Sequence, residues 1–340
     1  MPVSVSGYVE STDALVPRGL LETARYALHR YGFVSTVARY LLLKEDLRGF
    51  VRRGKSPAER AFRKDLLRKF AVIQGRVACA HPPYQFVLMA QYLLDLAIPG
   101  PIVECGCFKG GSTAKLSLLA ERTGRRLYVC DSFQGLPEPE SDRERLLKGH
   151  GHGDTPDLAF RPGEYAGRID EVRRNVDRFG CLDVSEFIPG FFSDSLPGLD
   201  IEPAFVFIDV DYVSSARDCL RHLWPRLAPG GYWFTHEAAY PDYILGILAP
   251  GFWREVLGEC PPVIMGAGSG LSGNAPGIAY FRKGAAGSVP PLAPRAEPGH
   301  HGLPPGHLPG CRGPRDLQPG RGPAREDRRC AANAPPDRAI

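Results

Sequence analysis

Pro101–Ser117 runs P-I-V-E-C-G-C-F-K-G-G-S-T-A-K-L-S. The apolar pair Ile102-Val103 ends in a carboxylate, Glu104. Gly106, Gly110 and Gly111 come next, then Ser112 and Thr113, then an apolar pattern at helical spacing from Ala114 to Ala120. The stretch predicts a buried strand, a glycine turn and a helix. Such a turn lets a ligand approach the backbone closely, and the helix start offers N–H groups with no partner inside the helix. A structural turn has the same appearance, so its meaning depends on the residues at the later strand ends.

Downstream, Arg126–Cys130 reads as a second strand ending at Asp131, 27 positions beyond Glu104. An acid at that place can accept hydrogen bonds from the two hydroxyls of a ribose, with the glycine turn passing beneath the nucleoside. It can equally cap the turn Asp131-Ser132-Phe133. Ala204–Asp209, A-F-V-F-I-D, is a continuous apolar run ending in an acid, as expected of a central parallel strand covered on both faces. Tyr232–Thr235 reads as another strand, with His236-Glu237 at its end. Ligands of open parallel sheets sit beyond the carboxyl ends of the strands. Glu104, Asp131, Asp209, Asp211, His236 and Glu237 are therefore expected to converge. Pro262–Met265 and Ile278–Phe281 read as two terminal strands joined by the glycine- and serine-rich loop 266–277.

Composition bounds the function. The chain has 340 residues, 43% of them hydrophobic, enough for a sizeable core. No apolar run reaches the roughly 18 residues of a membrane span, and no signal peptide is evident. From 284 to 340, eight arginines against five acids account for +3 of the formal charge of +4. The rest is nearly neutral, which argues against a nucleic-acid surface. Nine scattered cysteines without a C-x-x-C pair suit free thiols in a reducing cytoplasm. Residues 1–64 are expected to form a helical extension, with helices over Leu20–Arg30 and Val34–Leu43, and 65–283 the catalytic domain. Phe86–Leu94 is expected to be a buried helix. Residues 284–340, rich in Pro, Gly and Arg, are expected to form a disordered tail. Glycine-flanked His150 and His152 lie in the polar interval 138–160, which suits a substrate lid better than a metal site.

The ordered motifs resemble the macrocin O-methyltransferase (TylF-like) family of class I S-adenosylmethionine-dependent methyltransferases. They are V-E-C-G-C-F-K-G-G-S at 103–112, C-D-S-F-Q-G-L-P at 130–137 and G-R-I-D-E-V-R-R-N-V at 167–176. G-F-F-S-D-S-L-P at 190–197, F-I-D-V-D-Y-V-S-S at 207–215 and L-W-P-R-L-A-P-G-G-Y at 223–232 complete the set. The resemblance covers roughly 65–283. It implies an α/β, Rossmann-like sheet of seven strands, mostly parallel with an antiparallel last strand. It implies an S-adenosyl-L-methionine site in which Glu104, Gly106, Gly110, Gly111 and Ser112 line the methionine end. Asp131 would take the ribose, Ser132 and Phe133 the adenine surroundings, and Asp209 would border both donor and acceptor. It further implies magnesium held by an acid after strand four and two acids after strand five. Asp209 fits the first position, but His236-Glu237 replaces the acid pair, and imidazole suits other divalent metals better. The expected metal ligands are thus Asp209, His236 and Glu237, with Asp209 and His236 as catalytic residues. The expected activity is O-methylation of a hydroxylated small molecule, a sugar or natural product, by a cytoplasmic enzyme. A homo-oligomer is compatible with the sequence. A nicotinamide-dependent oxidoreductase and a catalytically altered cofactor-binding member are the alternatives.

Overall fold

The computed structural model describes residues 44–79, 81, 83–141, 160–266 and 277–284. The expected helices at 20–30 and 34–43, the histidines of 149–154, most of the 266–277 loop and nearly all of the 284–340 tail lie outside the described residues.

Six strands form one sheet in the order β3-β2-β1-β4-β5-β6. They are β1 Ile102–Cys105, β2 Leu127–Asp131, β3 Ser185–Pro189, β4 Phe205–Ile208, β5 Tyr232–Thr235 and β6 Ala279–Arg282. The first five are parallel, in registers such as Glu104 opposite Val129 and Phe207. β6 runs antiparallel to β5. The strand expected at 262–265 shrinks to a single bridge between Met265 and Tyr280, so the described residues hold six strands where seven were expected. Pro261 and Pro262 have no N–H to give a ladder, and Gly266 turns the chain away at φ 93.

Helices cover both faces. On one lie α1 Pro57–Arg76, α2 Pro83–Asp95, α3 Gly111–Thr123 and α4 Ile169–Phe179. Their apolar residues pack with Ile102, Val129, Phe207 and Phe234. On the other lie the short α5 Phe192–Ser195, α6 Val213–Leu223 and α7 Pro241–Ile247. These pack with Val103, Cys105, Val206, Ile208 and Trp233. Alternate residues of each short strand thus feed opposite cores, which is why β1 and β4 are apolar without a break and buried at every position. Glu104 is the exception within β1.

α1 begins at Ser56, whose hydroxyl accepts from Glu59 N–H, and has Pro57 in its first turn. It runs unbroken through residues 64 and 65. The helix expected at Phe86–Leu94 is present within α2, which Pro83 opens, a place where a missing N–H costs no helical hydrogen bond. Cys79, Cys105, Cys107, Cys130, Cys181 and Cys219 are free thiols, as expected, while Cys260 is disulfide-bonded.

Candidate active site

Strand order reverses between β1 and β4, so the crevice of the sheet opens where these two strands end. The chain is drawn tight there. Gly106, at φ 85, lies so close to β4 that a Cβ would fall 1.9 Å from the Asp209 carbonyl oxygen. Only glycine allows both that backbone angle and that approach. Gly110, at φ 82, caps α3 without a side chain. Gly167, which opens the fourth-helix motif, presses on the same turn, and a Cβ there would meet the Phe108 carbonyl at 1.7 Å. Asn175 of α4 donates to the Lys109 carbonyl at 2.8 Å and fixes the turn from that side.

Four non-glycine residues with positive φ come after β1, β2, β4 and β5: Phe108, Phe133, Asp211 and Glu237. Each such angle costs roughly 1–3 kcal/mol and persists where the surroundings over-determine it, commonly around ligand sites. Here they rim the crevice.

Glu104 is wholly buried. Its Oε2 accepts from the Thr113 hydroxyl at 2.6 Å, and its Oε1 has no partner. Burial pushes its carboxyl up to about 8, against the opposing pull of Ser112 and Thr113. In the nucleoside-free protein the folded chain therefore keeps this proton to about pH 8, whereas an ordinary glutamate loses it near 4.5. Stability from the group is complete below the lower value and lost as pH rises through the upper one. Glu104→Gln should lack that loss. Its urea-derived stability relative to the parent is expected to rise by roughly 3–5 kcal/mol between pH 5 and pH 9. A difference that stays constant across this range would refute the buried neutral acid.

Asp131 closes β2 with its carboxylate between two backbone donors. Oδ2 accepts from Cys107 N–H at 2.7 Å and Oδ1 from Phe133 N–H at 2.7 Å. Burial raises its carboxyl and these donors oppose the rise. Each carboxylate oxygen thus holds one backbone donor, one from the turn after β1 and one from the turn after β2. Ser132 accepts from Gln134 N–H and donates to the Gly135 carbonyl, shaping the turn that carries Phe133.

The ends of β4 and β5 bring Asp209, His236 and Glu237 together as expected, joined by a residue the motifs did not indicate, His81. Asp209 Oδ2 is 2.8 Å from His81 Nε2, and Oδ1 is 3.1 Å from His236 Nδ1. His236 Nδ1 is also 2.8 Å from Glu237 Oε1. The two imidazoles meet edge to face with centroids 4.6 Å apart. Burial pushes the Asp209 carboxyl up, but His81 and His236 outweigh it and hold it well below the carboxylate range. Burial pushes the His236 ring down, but Asp209 and Glu237 win and raise it well above the usual imidazole value. Burial and the nearby Asp209 charge push Glu237 well up.

His81 stands in the break between α1 and α2. Its Nδ1 is 3.4 Å from Cys79 Sγ, which in turn is 3.4 Å from Lys115 Nζ of α3. Lys115 Nζ also donates to Gln74 Oε1 at 2.6 Å and lies over the Phe86 ring. Burial alone would push the Cys79 thiol up, but Lys115 and His81 pull it down to about 6. A buried line of groups therefore runs Lys115–Cys79–His81–Asp209–His236–Glu237. The sequence offered a faint signal, C-A-H-P-P at 79–83, where a polar ring interrupts an apolar region just before a proline pair.

Parallel strands ordered β3-β2-β1-β4-β5, an antiparallel β6, a glycine turn after β1 and an acid after β2 define a class I S-adenosylmethionine-dependent methyltransferase fold. Within that class, the chain matches, over residues 85–240, the family described as Macrocin-O-methyltransferase (TylF). It is 36% identical over 143 residues to 8-demethyl-8-(2,3-dimethoxy-alpha-L-rhamnosyl)-tetracenomycin-C 4'-O-methyltransferase of Streptomyces olivaceus, covering 40% of this chain and 51% of that protein. Mycinamicin III 3''-O-methyltransferase of Micromonospora griseorubida is 33% identical over 152 residues, 42% of this chain and 57% of that protein. The chain thus spans about half the length of the curated relatives it matches. The structure of the O-methyltransferase NovP superposes with a TM-score of 0.48 at 24% identity, covering 73% of this chain and 99% of NovP.

Proposed function

We propose that the protein transfers a methyl group from S-adenosylmethionine to a hydroxyl of a small natural product, on a sugar unit or its carrier. The observation that carries this reading is the convergence of Glu104, the Gly106–Gly111 turn and Asp131 on one side of the crevice with Asp209, His236 and Glu237 on the other. The two curated relatives above are named as methyltransferases of a tetracenomycin rhamnosyl unit and of a mycinamicin. The nicotinamide alternative is disfavoured by the G-x-x-x-G-G turn and by the antiparallel β6.

The residues present fit this cofactor. Gly106 lets the turn lie against the Asp209 carbonyl at the end of β4, and Glu104 Oε1 is a buried acceptor without a donor, suited to an ammonium. Asp131 is held at the ribose position, and Ser132 and Phe133 shape the adenine side. When bound, the cofactor supplies an electrophilic methyl group on a sulfonium. The chain supplies alignment and a place for the acceptor's proton. In the metal-free protein, the neutral fraction of the His236 ring takes that proton, and Asp209 and Glu237, which raise the ring well above the usual imidazole value, stabilise the imidazolium formed. The magnesium that the family resemblance implies fits this group poorly, because the imidazoles of His81 and His236 flank Asp209 and magnesium prefers oxygen donors. No step is assigned to it.

The test is mass spectrometry after incubation with S-adenosylmethionine and a panel of glycosylated polyketides and free deoxysugars. One methyl per acceptor, on oxygen, is expected for at least one glycoside. Methylation of nitrogen or carbon alone would overturn the reading.

A further inference from the structure

We infer that His81, Asp209 and His236 form a binding site for a first-row transition cation of the zinc or iron(II) kind. The site goes beyond the methyl-transfer reading and stands on geometry alone. One donor atom from each of these three residues lies within 4.8 Å of the others. The contacts of 2.8 and 3.1 Å from the two Asp209 oxygens to the two imidazole nitrogens resemble edges of a coordination polyhedron. Ligands about 2.1 Å from an ion, at angles between square and tetrahedral, are about 3.0–3.4 Å apart.

His81 supplies the second observation. It is 2% exposed, yet its Nε2 makes no aligned hydrogen bond, although an Asp209 oxygen is close by. The nitrogen is buried and points away from the line to that oxygen. Its other nitrogen, Nδ1, faces Cys79 Sγ, which Lys115 holds from behind. With Cys79 as a thiolate accepting from Nδ1–H, Nε2 is the nitrogen left to donate to a cation, as with the outer partners of metal-bound histidines. Phe86 and Phe207 pack edge-on against the ring and hold its orientation. Glu237 Oε1, 2.8 Å from His236 Nδ1, borders the group with a further oxygen.

Two imidazoles and one carboxylate suit zinc or iron(II), and imidazole disfavours magnesium. In the metal-loaded protein His236 is a ligand, and its role as proton acceptor belongs to the metal-free protein only.

The full chain, stripped with a chelator, is titrated with cobalt(II) while its visible absorption is followed, then challenged with zinc and with magnesium. One cobalt per chain is expected, displaced by zinc, with magnesium at least about a hundredfold weaker. His81→Ala and His81→Gln should each weaken cobalt binding by roughly a hundredfold or more. S-adenosylhomocysteine affinity serves as the folding control and is expected to be unchanged in the variant scored. Cobalt binding that survives in either variant, or magnesium bound as tightly as zinc, would overturn the site. The methyl-transfer reading is tested separately by nucleoside binding, which requires no metal.

Discussion

Asp209→Asn is expected to lower kcat by at least about a thousandfold while changing S-adenosylhomocysteine affinity by less than about tenfold. The carboxylate has one oxygen against each of two imidazoles. Asparagine keeps the shape and loses the charge. The His236 imidazolium formed on taking the acceptor's proton then loses one of its two carboxylate neighbours, and both rings revert toward neutral. Stability should fall by about 3 kcal/mol at neutral pH, because one partner of a buried charged group has been removed. Turnover and nucleoside affinity, measured on the same preparation, separate catalytic loss from unfolding. Normal turnover would remove Asp209 from the catalytic machinery.

Asp131→Ala is expected to weaken S-adenosylhomocysteine binding by at least about a hundredfold and to cost about 2–4 kcal/mol of stability. Both effects have one origin. The carboxylate holds Cys107 N–H and Phe133 N–H, and so ties the β1 turn to the β2 turn. Without it, two buried donors lose their acceptor and the ribose hydroxyls lose theirs. Asp131→Asn retains one acceptor oxygen and should fall between the two. Calorimetry and urea unfolding check the two effects separately. Unchanged binding in the alanine variant would assign Asp131 to turn capping alone.

Much of the sheet was legible because its strands are short, apolar and terminated by acids or glycine. Phe205–Ile208 is buried on both faces, which leaves a continuous apolar signature, and Ile102–Cys105 is likewise buried throughout with Glu104 its one polar residue. The convergence of Asp209, His236 and Glu237 was legible for the same reason, since strand ends in an open parallel sheet share one side. His81 was not legible. It belongs to a connection between two helices, where no period marks which residue turns inward, and its meaning appears only when α2 brings it beside Asp209. Lys115 was hidden differently: a lysine in a helix reads as solvated, yet the whole of Gly111–Ala120 is buried between the sheet and α1, α2 and α4. The seventh strand failed locally, because Pro261-Pro262 removes the donors that a ladder needs.

Donor identity is the claim on which the rest depends, and calorimetric titration of the full chain with S-adenosylhomocysteine and, in parallel, with NAD tests it most directly. One-site binding of the sulfur nucleoside at micromolar or tighter affinity, with no heat from NAD, is the predicted result. Saturable NAD binding without any response to S-adenosylhomocysteine would contradict it.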